Sequence, residues 1–506
     1  MLEIRNLNIY LQADVRQLIK DFNLQIKMGD KVALIGEEGN GKSTLLKAIV
    51  EKEKLEKYAD IKGDILCDEV IAYLPQQLEK AELEETTFKY FEKNISLEML
   101  DYNKAYKLIK NFSLNDYLFE EDRKLLSLSG GERIKFLLLV ELLKDPSILI
   151  LDEPSNDLDI SAKEWLIKFL KDLDIALIFV SHDRELLESV ADTIVHFEQI
   201  KNKKEPCISV EKVDYRTYVE NRIRRTEVQN SRARKEKAEL DAKYERFNKV
   251  YNSVRHAQDQ TVRNPRVAKN LKDKMRSIKS QEKRLEKEQS NMTKRVDEEK
   301  SILIKFKNID VAKEKYILDF SLKELKVENR ILLQDVQVYL KSQEKLAIIG
   351  DNGCGKTTLL KEIVRELELK KVKATYMPQN YLEIIASYTS PLEFLNQSGD
   401  VEERKFAEIV LASLNFTRDE MFHSIDNLSG GQKAKIFFAK MMMQETEVLI
   451  LDEPTRNLSI KSIEEIEEAL VNFPGAIIFI SHDKVFVDNV ADSIYQIENK
   501  RLKKIK

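Results

Sequence analysis

Residues 32–50 read VALIGEEGNGKSTLLKAIV: four apolar residues, a loop with glycines at 36, 39 and 41, then a run rich in leucine and lysine. A short apolar stretch ending in a glycine turn predicts a buried strand that feeds a helix. Such glycines let successive backbone N–H groups turn inward around phosphate oxygens, at the positive end of the following helix. Gly36, Gly39, Asn40 and Gly41 form the cradle, Lys42 reaches the outer phosphates, and the Ser43 hydroxyl, followed by Thr44, completes a Mg²⁺ shell. The same pattern returns as LAIIGDNGCGKTTLLKEIV at 346–364, with Gly350, Gly353, Cys354, Gly355, Lys356, Thr357 and Thr358 in the matching places.

Other segments recur in the same order. LSGGE at 128–132, ILILDEP at 148–154 and IFVSHD at 178–183 reappear as LSGGQ at 428–432, VLILDEP at 448–454 and IFISHD at 478–483, each 300 residues on. The Gly-rich loops are 314 residues apart, so the first copy holds 14 more residues between loop and LSGG. A period this long means duplicated domains, not a solenoid. A chain of 506 residues also exceeds what one core serves. Each copy alternates apolar strands with helical stretches, which predicts a mostly parallel α/β sheet with ligands at the strands' carboxyl ends.

Asp152 and Asp452 close apolar strands, where a carboxylate contacts Mg²⁺ directly or through water. Glu153 and Glu453 come next in the chain and point differently at a strand end, so they are expected to act as general bases on water. Gln76 in YLPQQ and Gln379 in YMPQN follow apolar runs and are expected to meet Mg²⁺ or the attacking water; His182 and His482 are placed to hold the terminal phosphate. Taken together, the Gly-rich loops, LSGG, ILILDEP and SHD segments resemble the ATP-binding-cassette family over about 400 of the 506 residues. That resemblance implies two MgATP per chain, each held between the halves. Ser129, Gly130 and Gly131 would face the ATP on Lys356, while Ser429, Gly430 and Gly431 would face the ATP on Lys42. It also implies an aromatic about 25 residues before the loop to stack on adenine. Tyr10 fits in the first half; Leu325 and Lys326 stand there in the second, without an aromatic.

Net charge is −4, but residues 201–300 hold 29 Lys and Arg against 17 Asp and Glu, and the rest of the chain holds 55 against 71. A basic middle between acidic ends marks a contact for a polyanion. That middle lacks Gly and Pro over Tyr218–Ser253 and Val267–Lys300 and is broken at Asn264-Pro265, which predicts a helical hairpin. Arms of about 35 residues would reach roughly 50 Å. The expected division is a first cassette at 1–200, a basic linker at 201–302 and a second cassette at 303–506. Three scattered cysteines (Cys67, Cys207, Cys354) form no disulfide framework and point to a reducing compartment. The opening MLEIRNLNIYLQ does not read as a signal peptide, and the longest apolar runs, such as Ala176–Val180, are strand-sized, so a soluble cytoplasmic protein is expected.

Two cassettes, no apolar span and a basic hairpin between them resemble the ABC-F family. Its members are translation-associated ATPases that enter the ribosomal tRNA exit site when closed on ATP and push the hairpin toward the P-site tRNA and the peptidyl transferase centre. The resemblance implies the bacterial 70S ribosome, with its 23S rRNA and P-site tRNA, as partner, and pairing of the cassettes within one chain. Tyr215 and Tyr218 occupy the stretch before the hairpin, and Tyr251, Arg255, His256 and Arg263 lie toward its tip. EPSNDLD at 153–159 is close to the general family pattern, whereas EPTRNLS at 453–459 places Arg456, Asn457 and Ser459 in the second copy. That departure resembles the antibiotic-resistance members, which protect ribosomes from lincosamides, pleuromutilins and streptogramin A. A housekeeping translation factor of the same family is the near alternative. An ATPase subunit of a membrane transporter is disfavoured by the hairpin, and a DNA-organising protein by arms too short for the sustained heptads such proteins carry.

Overall fold

The computed structural model describes the chain apart from residues 13–15, 38, 97, 99, 116–121, 157, 200–204, 261–264, 291–305, 307–314, 328–329, 386, 426–427, 429 and 457. Two units emerge, one from Met1–Tyr215 with Ser301–Lys506, the other Arg216–Lys300.

In the first unit, the 32–50 stretch folds as read: strand Lys31–Gly36, then helix Lys42–Val50. The strand lies inside a six-stranded sheet, ordered Ile71–Leu74, Ile148–Asp152, Ala176–Val180, Lys31–Gly36, Thr193–Gln199 and Glu205–Glu211. All neighbours run parallel except the last pair. Ile148–Asp152 and Ala176–Val180 are buried at every position, which is why they read as unbroken apolar runs. A separate antiparallel sheet of Gln17–Ile26, Leu2–Leu11 and Ala59–Cys67 closes one side of the core over the loop helix. Because Glu205–Glu211 pairs with Thr193–Gln199, the first half's sheet continues past the boundary expected at 200. Its exposed, polar positions hid it from a reading based on apolar runs.

The second half repeats the plan in one sheet of eight strands. Its parallel centre is Ser493–Glu498, Lys345–Gly350, Ala476–Ile480, Val448–Asp452 and Ala374–Met377; the antiparallel pair Tyr316–Val327 and Arg330–Lys341 joins it through Arg501–Lys504. In both halves the Gly-rich loop, the DEP segment and the SHD segment leave the same edge, because parallel strands end together. The three cysteines are free.

The second unit contains helices Tyr215–Gln260 and Pro265–Ser290, of 46 and 26 residues, so the first arm is longer than expected. At 1.5 Å per residue it spans about 69 Å. Pro265 opens the second helix, where its missing N–H costs nothing. From Ala233 to Val254 the shielded positions of the first helix are Ala233, Glu236, Leu240, Tyr244, Phe247, Tyr251 and Val254; from Leu271 to Leu285 those of the second are Leu271, Met275, Ile278, Glu282 and Leu285. This alternation of three and four residues is the seam of a two-helix coil, and a Lys243–Glu288 ion pair joins the arms. Arg255 and His256 are exposed, and Arg263 lies outside the described residues.

Candidate nucleotide site

Each Gly-rich loop is held by its own lysine. Lys42 Nζ donates to the carbonyls of Gly36 (2.6 Å) and Glu37 (3.0 Å), and Lys356 Nζ to those of Gly350 (2.7 Å) and Asp351 (2.9 Å). Both lysines are buried, and a phosphate anion beside them would balance their charge. Gly41 and Gly355 cap the following helices in the left-handed region, φ 97° and 103°. Neither helix has a side-chain cap, which leaves their first N–H groups facing the loop.

Asp152 and Asp452 end their strands fully buried, hydrogen-bonded to the hydroxyls of Ser43 and Thr357 respectively. Burial pushes both carboxyls up, while those hydroxyls and Lys42 or Lys356 pull them down. One oxygen of each, Asp152 Oδ1 and Asp452 Oδ2, is buried with no hydrogen-bond donor. A carboxylate oxygen so placed beside a hydroxyl is the donor set of a hard divalent cation that takes its remaining ligands from water and phosphate. No cluster of three or more His, Cys, Asp and Glu among the described residues forms a self-sufficient metal cage.

The next residue in each copy is in a strained conformation. Glu153 (φ 51°) and Glu453 (φ 55°) sit in the left-handed region, which non-glycine residues occupy at a cost. Their amides donate to Val180 and Ile480 carbonyls at 3.0 Å, and this turns the side chains off the strand toward the SHD segment. His182 N donates to Glu153 Oε2 at 3.3 Å and His482 N to Glu453 Oε2 at 3.3 Å; the imidazole Nε2 atoms lie 3.3 and 3.4 Å from the other carboxylate oxygens. Burial lowers both histidines, His482 to about 4 with Lys356 adding to the effect, and His182 with Lys42 adding likewise. Burial and the neighbouring Asp452 raise Glu453.

One cleft of about 1040 Å³ is lined by both halves, at the upper end of small-molecule sites, roughly 300–1,000 Å³. From the expected set, Gly39, Gly41, Lys42, Ser43, Thr44, Gln76, Gly130, Asp152, Glu153 and His182 line it, with Gly353, Gln379, Gly430, Gly431, Glu453 and His482. Several expected residues take other places. The Tyr10 hydroxyl accepts from Gln17 Nε2 (3.0 Å) and its ring lies under Lys62, while Leu11, Arg16 and Leu18 form that edge of the cleft. Asn40 turns its side chain inward to the Phe197 carbonyl (3.1 Å). The Ser129 hydroxyl caps its own helix through Glu132, and Gly131 packs so closely on Ala162 that a Cβ would stand 2.9 Å from it. Cys354 packs beneath its loop, its thiol raised by burial. Thr358 continues its helix, and Ser429 lies outside the described residues. Arg133 and Lys163, which no motif singles out, also line the cleft, as does Arg456 of the EPTRNLS segment. The signal of the first two was a charge beside a motif, too common to mark them.

A model of the ABC transporter family matches residues 19–156 and 333–456, more than half of the chain. This chain belongs to the ABC transporter family. Its two matched segments are ATP-binding cassettes in tandem, so it is an ATPase, with ATP and Mg²⁺ as the nucleotide and metal of that family. Among curated relatives, the ATP-binding protein Uup of Buchnera aphidicola is 29% identical over 95% of this chain and 78% of its own length. The ribosome protection protein VmlR of Bacillus subtilis is 28% identical over 98% of this chain and 87% of its own. A solved structure of archaeal ribosome recycling factor aABCE1 with the stalk protein aP1 matches at TM-score 0.61 and 16% identity, over 98% of this chain and 89% of that one; at that identity the likeness is one of fold. No helix among the described residues is long and apolar enough to cross a membrane.

Proposed function

We propose that this chain is an ABC-F ATPase that acts on the bacterial 70S ribosome from the cytoplasm, entering the tRNA exit site and protecting the peptidyl transferase centre from lincosamide, pleuromutilin and streptogramin A antibiotics. The observation that carries the reading is the pairing of two cassettes on one cleft in the same chain as a two-helix unit of strongly basic composition. Basic residues along a long arm suit RNA phosphate, here 23S rRNA and P-site tRNA. The match to VmlR over nearly the whole chain and the EPTRNLS segment support the protective role.

In this reading the loop amides with Lys42 and Lys356 hold the phosphates. Ser43 with Asp152, and Thr357 with Asp452, would hold Mg²⁺, aided by Gln76 and Gln379, and the bound ion would supply neutralisation of phosphate charge. Glu153 and Glu453 orient and deprotonate water, and His182 and His482, neutral at pH 7, keep those carboxylates aimed. Closing the cleft on two ATP molecules drives the hairpin, and hydrolysis releases it. The three working parts are a first cassette whose sheet extends to Glu211, a basic linker and a second cassette.

The test is the double variant Glu153→Gln with Glu453→Gln. With ATP it should co-sediment with 70S particles and arrest growth when expressed; a protein that stays in the supernatant sinks the ribosomal reading. Raised lincosamide or pleuromutilin tolerance on expressing the unaltered chain separates protection from a housekeeping translation role, which would leave drug tolerance unmoved.

A further inference from the structure

The segments YLPQQ and YMPQN each open on a tyrosine, three residues before Gln76 and Gln379, to which the nucleotide site described above gives no role. Tyr73 and Tyr376 lie on the strands Ile71–Leu74 and Ala374–Met377, at the edges of their sheets. In parallel register Tyr73 stands beside Ile150 and Tyr376 beside Ile450. Each tyrosine packs on the core cluster that holds its isoleucine and the loop helix, so both share that face of the sheet. Asp152 and Asp452 follow those isoleucines by two residues and point to the same face. The step is roughly 6.6 Å along the strand, within reach of a tyrosine that leans along it.

Both hydroxyls are buried with no hydrogen-bond partner, and among the described residues they are the two tyrosine hydroxyls so placed. A buried orphan donor calls for an explanation, since folded chains satisfy nearly all of them. In each half an orphaned acceptor accompanies it, Asp152 Oδ1 in the first and Asp452 Oδ2 in the second. Burial holds the Tyr73 phenol above its usual range, and Asp152 comes next, ahead of Glu51 and Tyr58; burial and then Asp452 do the same to Tyr376. On the helix side, Lys47 and Lys361 lie one turn beyond Ser43 and Thr357 and act on the same two aspartates. A donor, an acceptor and a cation therefore recur at matching places in both halves.

We propose that Tyr73 and Tyr376 are positioning residues for Asp152 and Asp452, each hydroxyl donating through one bridging water to the carboxylate oxygen that has no donor of its own. This rests on the reading of Asp152 and Asp452 as the carboxylates that meet Mg²⁺. A carboxylate oxygen has two lone pairs, so one can take the water's proton and leave the other for the hydrated ion. With its second oxygen on Ser43 or Thr357, the carboxylate is then held at both ends, as ligands supported by an outer layer of hydrogen bonds are. The phenol stays neutral throughout, since its only part is to donate.

The test is the double variant Tyr73→Phe with Tyr376→Phe, which keeps both rings and removes both hydroxyls. Mg²⁺ is titrated calorimetrically into the full chain saturated with a non-hydrolysable ATP analogue, and the analogue is titrated separately in EDTA. Mg²⁺ affinity should fall about fivefold, the scale of one hydrogen bond, while analogue affinity in EDTA stays as it was. The melting temperature without nucleotide should hold or rise, because a buried hydroxyl without a partner has been removed. Tyr90→Phe, at a buried tyrosine beside Glu141, should leave the Mg²⁺ titration unmoved. Unchanged Mg²⁺ affinity in the double variant overturns the proposal. So does a loss that comes with a lowered melting temperature, or with an equal loss in EDTA, the marks of a packing role. An unaltered chain whose hold on the analogue owes nothing to Mg²⁺ overturns instead the reading of Asp152 and Asp452 as the metal's carboxylates.

Discussion

Gly36 shows how closely a single residue can be specified. A Cβ there would stand 2.2 Å from the Phe197 carbonyl oxygen, on the neighbouring strand, and its φ of 141° suits no other residue. Gly36→Ala should therefore lower stability by roughly 1–3 kcal/mol, the range for forced overpacking, read as a fall in melting temperature together with weaker nucleotide binding. The glycine spacing announces such a loop, but the partner it touches lies 161 residues on and has no trace in the local pattern. The same holds for Glu153 and Glu453. Their position after an aspartate is plain in the sequence, whereas the left-handed backbone that aims them at the histidines exists only because Val180 and Ile480 hold their amides. His482 carries a prediction of its own. Burial and Lys356 hold it to about 4, against about 6.5 for a free imidazole, so in the nucleotide-free chain its NMR signals should be those of neutral imidazole from pH 5 to 8. A midpoint near 6.5 would contradict the buried geometry.

Among elements, the parallel strands and loop helices were readable because full burial on both faces leaves unbroken apolar runs. The edge strand Glu205–Glu211 was not, since one face is exposed and its polar residues resemble a linker. The long helices were readable from composition, but their length and seam follow from packing. Leu240 and Ile278 are buried, one on each arm, whereas Lys243 and Glu288 are each about half exposed. Leu240→Asp should raise hydrogen exchange along both arms and cost about 2–4 kcal/mol locally, as burying an unpaired charge does. Lys243→Ala should change exchange little, because exposed ion pairs contribute about 0–1 kcal/mol. Equal effects would mean the charge pair, not the apolar seam, holds the arms together.

Across the whole molecule, the halves meet on a common cleft, and a direct ion pair, Arg184–Glu464 at 3.0 Å, spans them. Glu464 is well exposed, so Arg184→Ala should alter nucleotide affinity less than about threefold; a larger change would make that pair a principal clasp. Two cassettes, their order, the cradle lysines and the carboxylates were all set by local chemistry, because glycine turns, strand-end acids and apolar periodicity act within a few residues of themselves. Which side chains reach across was settled only by three-dimensional packing. Asp159 and Ser459 fill the same slot in their repeats and both cap a helix, yet one extends to a foreign amide and the other turns home. The Asp159–Asn352 contact joins residues 193 apart in the chain, a separation that no local sequence pattern encodes.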